Sequence, residues 1–357
     1  MKVLITIPDL SITGGVSSLF NILKMSHISG VDYFFVTENG EVGGILRFKK
    51  LVYKFCYFYL KIVKYDLLHV NPSLNSKSFF RDAVFVLLAL IHKKKVLVYW
   101  HGWQDDFEQT IKKNWLKKWV FNRTFKRANT SIVLGAVFRD KLISLGVVNT
   151  IILESNAADD YYLKLSGGGK ETLLENETFT LLFLARVVKE KGIYIAIDAF
   201  KELKRKLSKP IQLIIAGDGN ELGKAKAYVK DNNIDNIIFK GHVSEEAKHE
   251  VYCVSDILLF PSYYNEGMPL VILEGMIYGL PIITRPIGGI PDWVIDGENG
   301  FLINSLNSDD YIRPIIRLLE DDNFYKKISN NNYQKAKENF TPDKVRDRLV
   351  KYYKSLA

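Results

Sequence analysis

The sequence predicts an α/β protein of two domains, each built on its own parallel sheet, and three observations predict it. The chain has 357 residues, more than one hydrophobic core usually serves. Short apolar runs bounded by turn residues alternate with longer stretches of helical periodicity, which is the pattern of βα units. That alternation runs through one series of strands and then starts again, with no sequence repeat between the halves.

In the first half, Val3 to Ile7, Tyr33 to Val36, Leu67 to Val70, Val96 to Tyr99 and Ser131 to Leu134 read as strands, with helices between most of them. The second series is Phe179 to Leu184, Ile211 to Ala216, Ile237 to Phe239, Ile257 to Phe260 and Pro281 to Thr284. Between the halves, Ser155 to Lys170 carries Asn156, two aspartates and Gly167 to Gly169, a turn-rich stretch that places a linker near 155–165. The expected domains are 1–160 and 161–340. A charged amphipathic helix over 341–357, with Val345, Leu349, Tyr352 and Tyr353, is long enough to pack back on the first of them.

Composition narrows the class. Hydrophobic residues make up 47% and charged residues 25%, which fits a soluble globular chain and not a disordered or fibrous one. Cys56 and Cys253 stand far apart with no CxxC or histidine-rich neighbourhood, which argues against a disulfide framework and a structural zinc site. The N-terminus lacks the apolar core and cleavage site of a signal peptide, so a cytoplasmic location is expected. The most apolar run, Ala83 to Ile91, is about half of what crosses a bilayer and reads as a buried helix. Net charge is +9, and it is uneven. Residues 1–150 hold 22 Lys/Arg against 10 Asp/Glu, a net +12, which leaves −3 for the rest. A basic first half suits an anionic partner, or is simply a solvated surface.

The strongest local signal runs from Pro261 to Gly279, after a strand and into a helix. Its loop, Asn265 to Met268 with Gly267, would present backbone N–H groups together with those of the first helical turn. Pro269 is preset for the helix start before Leu270, so the segment suits a diphosphate. Glu266 in the loop can reach a sugar, and Glu274 in the helix can accept hydrogen bonds from a ribose diol. A second signal is Arg186 and Lys191 before Gly192, at the end of another strand. A planar fork and a point charge there can neutralise a departing diphosphate. Gly14 and Gly15 follow the first strand and allow close backbone approach to a phosphate, though not at the dinucleotide GxGxxG spacing. His101 follows its strand directly, at the carboxyl edge of the sheet where open α/β sheets bind ligands.

These residues together resemble the retaining glycosyltransferases of family 4, over nearly the whole chain and most specifically between Leu181 and Leu302. Glu266 and Glu274 match the family's two glutamates separated by seven residues. The resemblance implies the GT-B architecture: two facing Rossmann-like domains with a cleft between them. It implies Glu266 against the donor sugar as a catalytic group and Glu274 on the ribose. Arg186 and Lys191 fall on the diphosphate-binding cations and Gly15 on the first-domain glycine loop. Gly217, in Ala216-Gly-Asp218-Gly219, also matches, and Val243, in Gly241-His242-Val243, borders the nucleobase. His101 matches the histidine lining the acceptor side. Ser155-Asn156-Ala157 replaces the family's Asn-Gly, and Gly-Met-Pro-Leu its Gly-Phe-Gly; these departures bear on sugar preference more than on reaction.

The expected activity is retaining hexosyl transfer, with no cofactor and no metal, from a nucleoside diphosphate sugar to a glycan or polyprenyl-linked glycan of capsule, O-antigen or exopolysaccharide synthesis. Lys112 to Arg123 interleaves cations with Trp115 and Trp119, a composition for an anionic membrane interface; a further basic aromatic stretch runs from Arg47 to Lys64. Peripheral attachment to the inner membrane face is one reading, and tryptophans packed on the sheet the other. The alternatives in function are another reaction on the same scaffold, epimerase or phosphorylase, and a noncatalytic sugar-nucleotide or anionic-surface binder. No nucleic-acid signature accompanies the charge.

Overall fold

The computed structural model describes every residue except 13, 38–43, 168–177, 265 and 357, with residues 44–48 described in backbone only. Gly168, Gly169 and Asn265, and the start of the 47–64 basic stretch, therefore lie outside the described side chains. The chain divides into two compact units, Met1–Ala157 with Pro342–Ala357, and Ala158–Thr341.

The first unit runs β1 (Val3–Ile7), α1 (Gly15–Leu23), β2 (Val31–Phe35), α2 (Gly44–Ile62), β3 (Leu67–Val70), β4 (Ser73–Leu74) and α3 (Ser76–Ile91). It continues with β5 (Lys95–Trp100), β6 (Gly102–Trp103), α4 (Asp105–Lys113), α5 (Trp115–Arg123), β7 (Thr130–Val133), α6 (Ala136–Ser144) and β8 (Thr150–Leu153). Six strands form one parallel sheet in the order β2-β1-β3-β5-β7-β8, and β4 pairs β6 in a short separate ladder.

The second unit runs α7 (Asp160–Leu165), β9 (Phe179–Leu184), α8 (Ile193–Lys206), β10 (Ile211–Ala216), α9 (Leu222–Asp231), β11 (Ile237–Gly241) and α10 (Glu245–Cys253). Then follow β12 (Ile257–Phe260), α11 (Leu270–Ile277), β13 (Ile282–Thr284), α12 (Ile290–Trp293), β14 (Gly300–Leu302), α13 (Ile312–Glu320) and α14 (Asp322–Asn339). Its six strands are also parallel, in the order β11-β10-β9-β12-β13-β14.

Strands covered on both faces need apolar side chains on both, so β1, β3, β9 and β12 are buried at every residue. In each sheet the first strand lies inside and the order reverses beside it, between β1 and β3 and between β9 and β12. Such reversal points leave a crevice at the carboxyl ends of the strands.

Two features differ from the sequence reading. The stretch expected as a linker contains α7: Asp159 caps it by accepting from the Tyr161 amide, and Tyr162 buries against Tyr252 and Tyr278. Helix α3 is amphipathic and not wholly buried: Ala83, Phe85, Val86 and Ala89 face the core, while Phe80, Leu87 and Ile91 are exposed.

The last helix, α15 (Pro342–Ser355), belongs to the first unit. It buries Val345, Leu349 and Tyr353, and the Tyr353 hydroxyl lies 2.6 Å from His69 Nδ1. Arg348 forks onto Glu154, with Nε 2.9 Å from Oε2 and Nη2 2.6 Å from Oε1. Tyr352 adds a hydrogen bond to Oε2 at 3.2 Å and the Ser155 amide one to Oε1 at 2.8 Å.

Candidate functional site

The second unit assembles its candidate site where β9 and β12 end. After β9 the chain exposes Arg186, makes one tight turn over Lys189–Lys191, and leaves it through Gly192 with φ +80. A Cβ at Gly192 would stand 2.3 Å from the Pro261 carbonyl oxygen, so only glycine lets this turn lie against the segment that follows β12. The Tyr263 amide seals the contact by donating to the Glu190 carbonyl at 2.8 Å. Lys191 is thereby carried to Glu266, and the two form a buried ion pair through Glu266 Oε1. Ser262 Oγ donates to the same oxygen at 2.9 Å. No hydrogen bond reaches Oε2 from the described residues.

Both cations lie over the Tyr264 ring, with Lys191 Nζ 4.9 Å and the Arg186 guanidinium 5.5 Å from its centre. A second strap holds the loop from behind. Gly288 has φ +56, a Cβ there would stand 2.0 Å from the Glu266 carbonyl oxygen, and the Gly289 amide donates to Gly267 O at 2.7 Å. Met268 is buried, and Pro269 stands one residue ahead of α11 as its N-cap, with extended ψ, rather than in the first turn. No side chain caps this helix, so Leu270 opens a turn whose N–H groups and dipole favour an anion.

Glu274 has partners of its own. Lys248 reaches Oε1 at 3.0 Å, and the Tyr252 hydroxyl donates to Oε2 at 2.8 Å. Burial pulls the Lys248 ammonium down, but the Glu274 and Glu245 carboxylates together outweigh it and hold the pKa above its ordinary value. The Gly217 amide donates to Gly241 O at 2.7 Å, which ties the loop after β10 to the end of β11, two residues before Val243.

The first unit places its sequence-predicted residues at its own reversal point. Gly14 is extended, with φ 173, and Gly15 opens α1, the helix that follows β1 across a loop. A Cβ added at either meets nothing within 4 Å. His101 follows β5, half-buried with its ring 4.1 Å from that of Tyr99. Asn71, after β3, donates through Nδ2 to Thr6 O at 3.1 Å, which turns its Oδ1 toward His101 Nε2 at 2.7 Å. Nε2 therefore carries the proton, and Nδ1 is left with a lone pair. Burial pulls the His101 pKa down to about 3, so the imidazole is neutral across the physiological range.

The basic aromatic stretch resolves in favour of exposure: Trp115 is 77% and Trp119 51% exposed, and neither packs on the sheet. Lys112 is engaged by Glu108 at 2.6 Å. No helix among the described residues is long and apolar enough to cross a membrane.

The structure thus brings Arg186, Lys191, Glu266 and Gly267 together, gives Glu274 separate company, and sets Gly14, Gly15 and His101 in the first unit. Sequence reasoning missed Ser262, Tyr264, Lys248, Tyr252, Asn71 and Gly288. Only the pair Gly288-Gly289 was visible as a signal, as a turn after a strand.

Two Rossmann-like parallel units in one chain, with cations and a capless helix start at the reversal point of the second, define a GT-B protein. Over 99% of its length the chain is similar to HepE of Anabaena, solved in complex with UDP and glucose, with a TM-score of 0.73, 18% identity and all of that chain covered. Residues 169–335 match the glycosyl transferases group 1 family model, and with the relatives that follow this marks the chain as a glycosyltransferase. It is 27% identical over 312 residues to an uncharacterized glycosyltransferase of Methanocaldococcus jannaschii, covering 87% of this chain and 72% of that one. It is 28% identical over 198 residues to the lipopolysaccharide 1,2-N-acetylglucosaminetransferase of Salmonella typhimurium, covering 53% of this chain and about half, 51%, of that one.

Proposed function

We propose that the chain moves a hexose from a nucleoside diphosphate sugar to a glycan or polyprenyl-linked glycan in surface polysaccharide synthesis, with retention and without a metal. The observation that carries this is the Lys191–Glu266 pair, set with Arg186 around Tyr264. A diphosphate offers Lys191 more charge than one carboxylate does, so the ammonium moves to the phosphate and Glu266 is released toward the sugar. Arg186 and the α11 N-terminus complete the neutralisation that a metal provides elsewhere. The bond from the anomeric carbon to the phosphate oxygen breaks, the acceptor hydroxyl adds from the same face, and its proton passes to the departing phosphate. Glu266 stabilises the positive charge that develops on the sugar. Glu274 holds the ribose diol, Val243 borders the base, and Gly14, Gly15 and His101 serve the donor phosphate and the acceptor. The proposed units of action are 1–160 for the acceptor, 161–340 for the donor, and the last helix.

The relative named for lipopolysaccharide supports a surface glycan as product. The exposed tryptophans and the +12 charge of residues 1–150 support work on the cytoplasmic face of a membrane. Glu266→Ala is expected to lower transfer by roughly a hundredfold or more while circular dichroism stays native. Turnover by Glu266→Ala at the wild-type rate, with any of a panel of UDP, GDP and dTDP sugars, would refute the assignment.

A further inference from the structure

The exposed face of α3 and the adjoining face of α5 enclose a groove of about 270 Å³ in the first unit. Its walls are apolar: Phe80 and Leu87, 41% and 42% exposed, stand with Val84 on one side, and Trp119 on the other. Arg123 and Arg127 line the same groove, both exposed. Neither meets a carboxylate among the described residues; Arg123 rests over the Trp119 ring at 5.8 Å. An aqueous surface gains nothing from this arrangement, because it leaves large apolar side chains in water beside two uncompensated guanidiniums. A ligand with a hydrocarbon chain and an anionic oxygen head satisfies both parts, since the groove removes methylenes from water while the planar forks grip the phosphate. The room is near the lower end for small-molecule sites, which suits one slender chain.

We propose that this groove holds a chain of an anionic membrane phospholipid, with Arg123 and Arg127 on its phosphate. The inference rests on the reading of the first unit as membrane-facing and sharpens it from general attraction to a seated lipid. It is independent of glycosyl transfer.

Dihexanoyl-phosphatidylglycerol, titrated into the full chain below its micelle concentration, is expected to bind and raise the unfolding midpoint. Dihexanoyl-phosphatidylcholine and inorganic phosphate at equal concentration are expected to leave it unmoved. Phe80→Gln with Leu87→Gln, and separately Arg123→Gln with Arg127→Gln, each weaken binding roughly tenfold, about 1.4 kcal/mol. All four residues are exposed, so the variants retain the fold, which circular dichroism checks. The proposal is overturned if phosphatidylglycerol gives no shift, if inorganic phosphate alone reproduces it, or if the choline lipid matches it. Flotation on phosphatidylglycerol vesicles at low salt tests the underlying reading separately. Wild-type chain that fails to float removes the membrane reading. Wild-type and variants that float alike remove the groove and leave that reading standing.

Discussion

Glu154 in the first unit and Glu266 in the second are both buried carboxylates paired with a cation, and they are built in opposite ways. Glu154, 1% exposed, takes a two-pronged guanidinium, a tyrosine hydroxyl and a backbone amide, spread over both oxygens. Glu266 takes an ammonium and a serine hydroxyl on one oxygen alone. A carboxylate with every lone pair used has nothing left to offer a ligand, and it fixes α15 to the sheet. A carboxylate held at one oxygen by a mobile point charge can exchange its partner. Deletion of each cation tests this contrast. Arg348→Ala leaves Glu154 buried and unpaired and is expected to cost about 3–5 kcal/mol of stability, read as a lower denaturant midpoint. Lys191→Met is expected to cost far less stability and to abolish the midpoint shift given by donor nucleotides. Comparable destabilisation by both variants would erase the distinction.

That contrast was only partly legible in the sequence. The parallel strands could be read because burial on both faces makes them continuous apolar runs. The last strand of each sheet could not: β8 carries the exposed Thr150 at the sheet edge, and β14 is three residues long. The charged residues of the second unit were visible by type, since Arg186, Lys191 and Glu266 each follow a strand. Their pairing was not, because Lys191 and Glu266 lie 75 residues apart and meet through Gly192 against Pro261. Tyr264 and Ser262 acquire their roles only from that meeting. Lys248 reaches Glu274 from a different helix, which no spacing in the 261–279 motif foretells.

The histidines extend the comparison, because burial in the first unit holds two imidazoles neutral. Burial first, and then repulsion between the two rings, pulls His69 to about 3; burial alone does the same to His101. In the unfolded chain both titrate near 6.5. Between those values the unfolded state binds more protons, so stability is complete above about 6.5 and is lost as pH falls toward 3. Each imidazole contributes a slope of up to about 1.4 kcal/mol per pH unit. Urea midpoints from pH 7 to 4 are expected to fall more steeply for wild type than for the double variant His69→Phe, His101→Asn. Parallel curves would show that the two rings are not held neutral.

The smallest effect separates what the fold requires of a glycine from what a ligand requires. Gly192 and Gly288 are forced by positive φ and by backbone within 2.3 Å of where a Cβ would be. Gly15 has helical backbone and open space around it, so the chain itself does not ask for glycine there. Gly15→Ala is therefore expected to stabilise the first unit by about 0.4–1 kcal/mol, through the lower entropy of the unfolded chain. If the bare backbone exists to let a donor phosphate approach, the same methyl group weakens donor binding in a calorimetric titration. A variant more stable than wild type and weaker for the nucleotide sugar assigns the glycine to the ligand. Unchanged affinity would take the first glycine loop out of the donor site and leave the phosphate to the cations of the second unit.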